Sequence, residues 1–163
     1  MLFIIRWPVA LVLLLLALST LAAAATTGIV LGDVAIDLSA YLTPEQLATL
    51  HNTSWLEVGL WAGAGIFFLV AMVRLLRRTQ AFWVWLLGFA LYGGRWAVAQ
   101  QTQGGLEATA QSLNAGSFQP DALTATPEAP AAQVTVLAAI LIVGLIIFLI
   151  DAADRAYWDK QGA

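Results

Sequence analysis

The 163-residue chain contains no cysteine. Disulfide scaffolds, thiol nucleophiles, iron–sulfur clusters and thiolate zinc sites are therefore excluded. It contains one histidine, His51, so the chain alone cannot supply two axial ligands to a haem or build a histidine metal centre. Charge is scarce too. Asp, Glu, Lys and Arg make up 10% of the residues, against about 25% in ordinary soluble domains. Seven cations and ten anions leave a net charge of −3, the opposite of the basic footprint that nucleic-acid binding requires. There is no Gly-rich phosphate loop, no HExxH and no G-x-S-x-G, which removes the sequence signals of several common catalytic mechanisms.

What is abundant is apolar surface. Hydrophobic residues make up 61% and the mean hydropathy is +0.83. A soluble domain of this length keeps too much of its surface wet to hide that much apolar area. The composition predicts an all-α integral membrane protein.

A bilayer core of about 30 Å needs about 20 apolar residues in a helix. Four stretches meet or approach that length: Trp7 to Val30, Trp55 to Leu76, Ala81 to Ala99 and Ala131 to Ile150. The expected architecture is four transmembrane helices plus a short interfacial helix on the outer side. Three spans remain if the N-terminal segment is a cleaved signal. That alternative comes from Arg6 in a short n-region, the leucine-rich run Val9–Leu21 and the A-x-A pattern in Ala22–Ala25. The organisation divides into residues 1–32 (first helix or signal peptide), 33–53 (outer loop with the surface helix), 54–100 (a transmembrane hairpin), 101–132 (a flexible outer loop), 133–152 (fourth transmembrane helix) and 153–163 (inner tail).

Charge asymmetry predicts the orientation. With the N-terminus inside, the inner side receives Arg6, Arg74, Arg77, Arg78, Arg155 and Lys160, six of the seven cations. The outer side receives Asp33, Asp37, Glu45, Glu57, Glu107, Asp121 and Glu128, with Arg95 its single cation. That is the positive-inside pattern of a bacterial inner membrane protein with both termini cytoplasmic. The aromatics cluster as interfacial belts: Trp7, Trp83, Trp85, Tyr157 and Trp158 toward the inner boundary, Tyr41, Trp55 and Trp96 toward the outer one.

Local signals mark the connections. Thr43-Pro44-Glu45-Gln46 has an N-cap threonine, a first-position proline and a glutamine three residues after the cap, so a short helix starts there. Its apolar side of Leu42, Leu47 and Leu50 suits a membrane surface. Ser54-Trp55-Leu56-Glu57 repeats the capping-box pattern at the head of the second span. Arg77-Arg78-Thr79-Gln80 is a tight inner turn. Residues 101–132 are polar and broken by Pro120, Pro127 and Pro130, with little apolar surface to order them.

The candidate functional residues are few. Arg95 lies within a span, where a charge is a functional candidate by default. Glu57, on the neighbouring helix, is its expected ion-pair partner, although the outward and inward lean of the two side chains works against contact. Gly59 and Gly63, with Ala90 and Gly94 on the next helix, form small-xxx-small pairs that either pack the hairpin or dock another subunit. Arg74 and Arg77 at the inner end are expected to meet Asp151 and Asp154. Those two aspartates would close the fourth span, against its macrodipole. His51 is a solvated interfacial group or, less simply, a single ligand to a pigment or a contact to a quinone. No cofactor is predicted, although a bound lipid, quinone or pigment would be compatible with the composition.

These features favour a non-catalytic accessory or structural subunit of a larger bacterial inner-membrane complex, respiratory or photosynthetic in kind. Its expected partners are other integral membrane subunits and lipids, and no nucleic acid. The alternative is a small homo-oligomeric transporter or channel with Arg95, Glu57 and Tyr92 along its pathway. An enzyme acting on lipid or quinone would rest on His51 and Glu45 alone.

Overall fold

The computed structural model describes residues 2–33, 43–102 and 130–161. The described residues are helical throughout apart from their connections, in the order α1 (Leu2–Leu31), α2 (Pro44–His51), α3 (Trp55–Leu76), α4 (Phe82–Thr102) and α5 (Pro130–Gln161). The residues between 103 and 129, most of the expected flexible loop, lie outside the described part.

Among the described residues, three helices are long and apolar enough to cross a membrane: α1 over Ile4–Leu31, α3, and α5 over Ala131–Tyr157. They leave large apolar side chains exposed, among them Leu11, Leu15 and Leu18 on α1, Ile66 and Val70 on α3, and Leu141, Ile142, Leu145 and Leu149 on α5. In water such a continuous apolar girdle would drive aggregation; against lipid it has no cost. This places the protein in a membrane. α4 falls short of the other three because Arg95, Gln100, Gln101 and its glycines dilute its apolar residues. Its place as a fourth span is taken up below.

The helices pack in the cyclic order α1, α3, α4, α5, with α2 folded against α1 and a slender contact returning from α5 to α1. The α1 face turned inward reads Arg6, Ala10, Leu13, Ala17, Thr20, Ala24, Thr27, each buried. Alternating steps of four and three keep one seam in register with a partner helix, as in a left-handed coiled coil. The buried residues of α3 are Glu57, Ala64, Gly65, Phe68, Ala71 and Leu75. The small residues among them, with those of α1, let the backbones come close. A Cβ placed on Gly65 would lie 2.6 Å from Leu21 Cγ and 2.8 Å from Thr20 Oγ1. Thr20 and Thr27 can be buried because their hydroxyls donate back to the Leu16 and Ala23 carbonyls of their own helix, each at 2.8 Å. This intimate seam makes α1 an integral part of the bundle core in the structure.

α4 and α5 close around Trp85. The indole is buried, stacks on Phe89 at 5.3 Å between centroids, and lies directly against Gly144. Any side chain at position 144 would collide with it. Trp85 therefore departs from the expected inner belt: it is a core residue, whereas Trp7, Trp83 and Tyr157 are exposed.

One helix end differs from the sequence expectation, and another shows how its expected turn is made. α5 continues to Gln161, through what was expected to be an inner tail. Ala152, Ala153, Arg155 and Ala156 are good helix formers, and neither glycine nor proline intervenes. Asp151 and Asp154 are thus mid-helix and do not oppose a C-terminal dipole. α3 ends in a Schellman turn: Thr79 N–H donates to the Arg74 carbonyl at 2.9 Å and Arg78 N–H to the Leu75 carbonyl at 3.3 Å. Arg78 holds the left-handed position at φ 58°, where glycine is at ease and a Cβ is not. Replacing Arg78 by Gly should stabilise the solubilised protein by about 0.5–1 kcal/mol, read as a higher thermal unfolding midpoint. An unchanged or lower midpoint would show that the arginine side chain outweighs the backbone strain.

Candidate functional site

Two polar assemblies interrupt the apolar bundle, one at each end. The first forms where α3 and α4 pack antiparallel. Ser54 caps α3, its Oγ accepting from Glu57 N–H at 3.3 Å. The Glu57 carboxylate does not turn back to complete the capping box. It crosses to α4, where its Oε2 lies 3.3 Å from Arg95 Nε. Glu57 is almost fully buried, with 7% of its side chain exposed, and Arg95 retains 23%. The guanidinium carbon sits 4.1 Å from the centroid of the Trp61 ring.

Trp61 explains how the pair forms despite the unfavourable lean of the two side chains. It lies one turn after Glu57 on the same face of α3. Arg95 leans toward the N-terminus of α4, which lays its guanidinium over that indole. The proximal Nε is left level with the carboxylate. Cation–π contact of this kind contributes about 0.5–2 kcal/mol, more as water is excluded. The i, i+4 spacing of Glu57 and Trp61 opposite an arginine on an antiparallel helix was the signal available in the sequence. Arg95 Nε and its neighbour Trp96 Nε1 are buried with no hydrogen-bond partner among the described residues. The pair thus meets as two charges and not as an aligned hydrogen bond. Beyond it toward the same end, Gln100 amide N–H donates to Gln133 Oε1 at 3.4 Å and ties α4 to α5.

The small-residue positions around this assembly separate. At Gly63 an added Cβ would lie 2.9 Å from Leu91 Cδ1, so this glycine serves the α3–α4 contact. At Gly59, Gly93 and Gly94 nothing lies within 4 Å of an added Cβ, and Ala90 is exposed. His51 is exposed at the end of α2, its Nδ1 3.2 Å from the Leu47 carbonyl of its own helix, and belongs to neither polar assembly.

The second assembly lies at the opposite end and joins all four long helices. Arg6, 5% exposed, is ion-paired with Asp154 and directs Nη1 toward the Leu75 carbonyl at 3.5 Å. It thus places a cation on the C-terminus of α3, where the macrodipole favours one. One turn earlier on α5, Asp151 Oδ2 accepts from Ala81 N–H at 2.8 Å and Phe82 N–H at 2.9 Å. These are orphan donors at the start of α4, so the carboxylate acts as an N-cap supplied by another helix. The expected pairing of Arg74 and Arg77 with Asp151 and Asp154 is therefore replaced. Both aspartates are engaged by Arg6 and by backbone N–H groups, while Arg74 and Arg77 stand exposed. Sequence reasoning counted Arg6 among the inner-side cations, or as the charge of a leader segment, and assigned it no partner. The i, i+3 spacing of the two aspartates beside the tight inner turn was the signal present.

Among the described residues no group of three or more His, Asp or Glu side chains is placed to hold a metal ion. Compared with known protein families, curated proteins and solved structures, the chain matches none.

Proposed function

We propose that the protein is a non-catalytic accessory or structural subunit of a larger bacterial inner-membrane complex of the energy-transducing kind, with four spans, cytoplasmic termini and α2 lying on the outer surface. The observation that carries this is how the charged and polar groups of the bundle are spent. Glu57 goes to Arg95, Arg95 to Trp61, Arg6 to Asp154, and Asp151 to the head of α4. Each holds one helix to another. Apart from Arg74 and Arg155 at the ends of their spans, what remains outward-facing is largely apolar or small: the lipid-type girdle and the open positions Gly59, Ala90 and Gly94. Small residues allow another helix to approach closely in lipid, where packing drives association.

α4 spans in this reading because α3 and α5 flank it and its one charge is neutralised within the bundle. A polar segment at membrane depth is tolerated when protein surrounds it. α1 is a retained helix in the same reading, since its removal would strip α3 of its main seam and Asp154 of its cation. The orientation rests on the positive-inside distribution of Arg74, Arg77, Arg78 and Arg155.

The test is gentle extraction of a C-terminally tagged chain from its native membrane, followed by mass spectrometry and an absorption spectrum of the intact particle. Co-purification of larger membrane subunits in fixed proportion is the expected result, with an intact chain mass that includes Leu2–Leu31. A colourless particle containing only this chain would overturn the accessory role. One observation favours a homo-oligomeric transporter as the second reading: Trp96 Nε1, beside Arg95, is buried without a hydrogen-bond partner among the described residues, as a donor awaiting a polar permeant would be.

A further inference from the structure

Arg74 and Arg77 are two of the cations that the second polar assembly leaves out. They border a shallow groove of about 460 Å³ lined by Leu69, Val70, Val73, Arg74, Arg77 and Thr79. The lining divides by chemistry along the helix. Ile66, Val70 and Val73 descend one face of α3 at helical spacing and are all exposed, so the groove is continuous with the apolar girdle. Its other end carries two guanidiniums one turn apart. Thr79 fixes that end: its hydroxyl donates to the Arg74 carbonyl at 3.1 Å, beside the Schellman bond from its own N–H at 2.9 Å.

An apolar trough that opens to lipid and ends in two cations at headgroup depth has a specific complement. We infer that this groove binds an anionic phospholipid of the leaflet at the α3 C-terminal end. One acyl chain lies along Ile66, Val70 and Val73, and the phosphodiester is held by Arg74 and Arg77. Guanidinium forks match phosphate oxygens in geometry as well as charge, and anionic lipids are drawn to basic clusters at the ends of spans. The valines are what select a lipid over a free phosphate, which would use the cationic end alone. The length of α3 sets the depth of the two arginines whichever side of the membrane they face. The inference therefore stands apart from the accessory-subunit reading and from the assigned orientation.

The test uses the full chain in nanodiscs of phosphatidylcholine doped with phosphatidylglycerol, followed by native mass spectrometry of the released protein. One phosphatidylglycerol should be retained in preference to phosphatidylcholine. The double variant R74Q/R77Q should weaken that retention about thirtyfold, roughly fivefold for each cation lost at a membrane surface. The pair R74K/R77K should fall between wild type and R74Q/R77Q, keeping the charge and losing the fork geometry. Val70→Trp, with both arginines present, should also displace the lipid by filling the apolar wall. All these positions are exposed, so the bundle remains intact in each variant. Equal retention of the two lipids, or retention unchanged in R74Q/R77Q and V70W, would overturn the inference. So would displacement of the lipid by millimolar inorganic phosphate, or a cross-link from position 70 to an acidic protein segment instead of lipid.

Discussion

Asp154→Ala should cost the solubilised protein about 3 kcal/mol of stability, the lower end of the range for breaking a buried ion pair, because the aspartate itself is 20% exposed. The effect is large because of what remains. Arg6 is 5% exposed, and after the substitution its guanidinium faces only the Leu75 carbonyl at 3.5 Å. A cation without an anion at that depth drags water inward or pulls α1 away from α3 and α5. The double variant Arg6→Met with Asp154→Leu should recover most of the loss, since apolar side chains of similar volume often replace a buried pair at no net cost. Unfolding free energies of Arg6→Met, Asp154→Leu and the double, measured in one detergent, give the coupling energy. A single-variant loss below about 1 kcal/mol would mean that the pair is solvated and that the seam between α1 and α3 holds without it. Asp151 belongs to a different element of the same end. Its substitution acts through the two N–H groups at the head of α4, and its effect should add to that of Arg6→Met instead of being cancelled by it.

The second large effect is asymmetric. Arg95→Leu should destabilise the protein by about 3 kcal/mol, at the lower end of the range for broken buried pairs because the arginine itself is 23% exposed. It strands the Glu57 carboxylate, of which 7% is exposed. Glu57→Leu should cost only about 1–2 kcal/mol. Arg95 keeps its place over Trp61, and its long side chain can carry the charge toward the headgroups. The order of the two losses is the informative quantity. Equal losses would mean that the pair acts as one tightly bonded unit. A greater loss in Glu57→Leu would show that Arg95 cannot reach water. The same Arg95→Leu protein, folded in liposomes, separates the two functional readings. Unchanged ion or solute flux removes the transporter reading. Abolished flux with the helical signal intact would favour it over the accessory role.

How much of this was legible in advance can be followed residue by residue. The boundaries of α3 were legible to the residue, because Ser54 is a cap and the Arg77–Gln80 turn is short and polar. The start of α2 was legible from Thr43 and Pro44. The end of α5 was not, because the hydrophobic run stops at Ile150 while the helix does not: Ala-rich polar sequence continues a helix as readily as apolar sequence does. Trp85 was assigned to an interfacial belt because a tryptophan near a span boundary usually sits there. Its burial depends on Gly144, some sixty residues away, and no local pattern announces that fit.

The sequence by itself determined the membrane class, the helical content, the three strongly apolar helices and the uneven placement of charge. Each of these follows from composition and period, which are properties of one segment at a time. Beyond the Glu57–Arg95 pair, which the sequence suggested, only the tertiary structure decided which charge meets which. It gave Asp154 to Arg6, gave Asp151 to the backbone of α4, and left Arg74 and Arg77 free to face the apolar groove. It also brought Glu57 to Arg95 by laying Trp61 beneath the guanidinium. Pairing depends on where helices distant in sequence come to lie, and that is set by the close fit of small residues along the α1–α3 seam and of Trp85 against Gly144. Spacing within one helix can suggest a partner's chemistry, but the packing of the bundle chooses the partner.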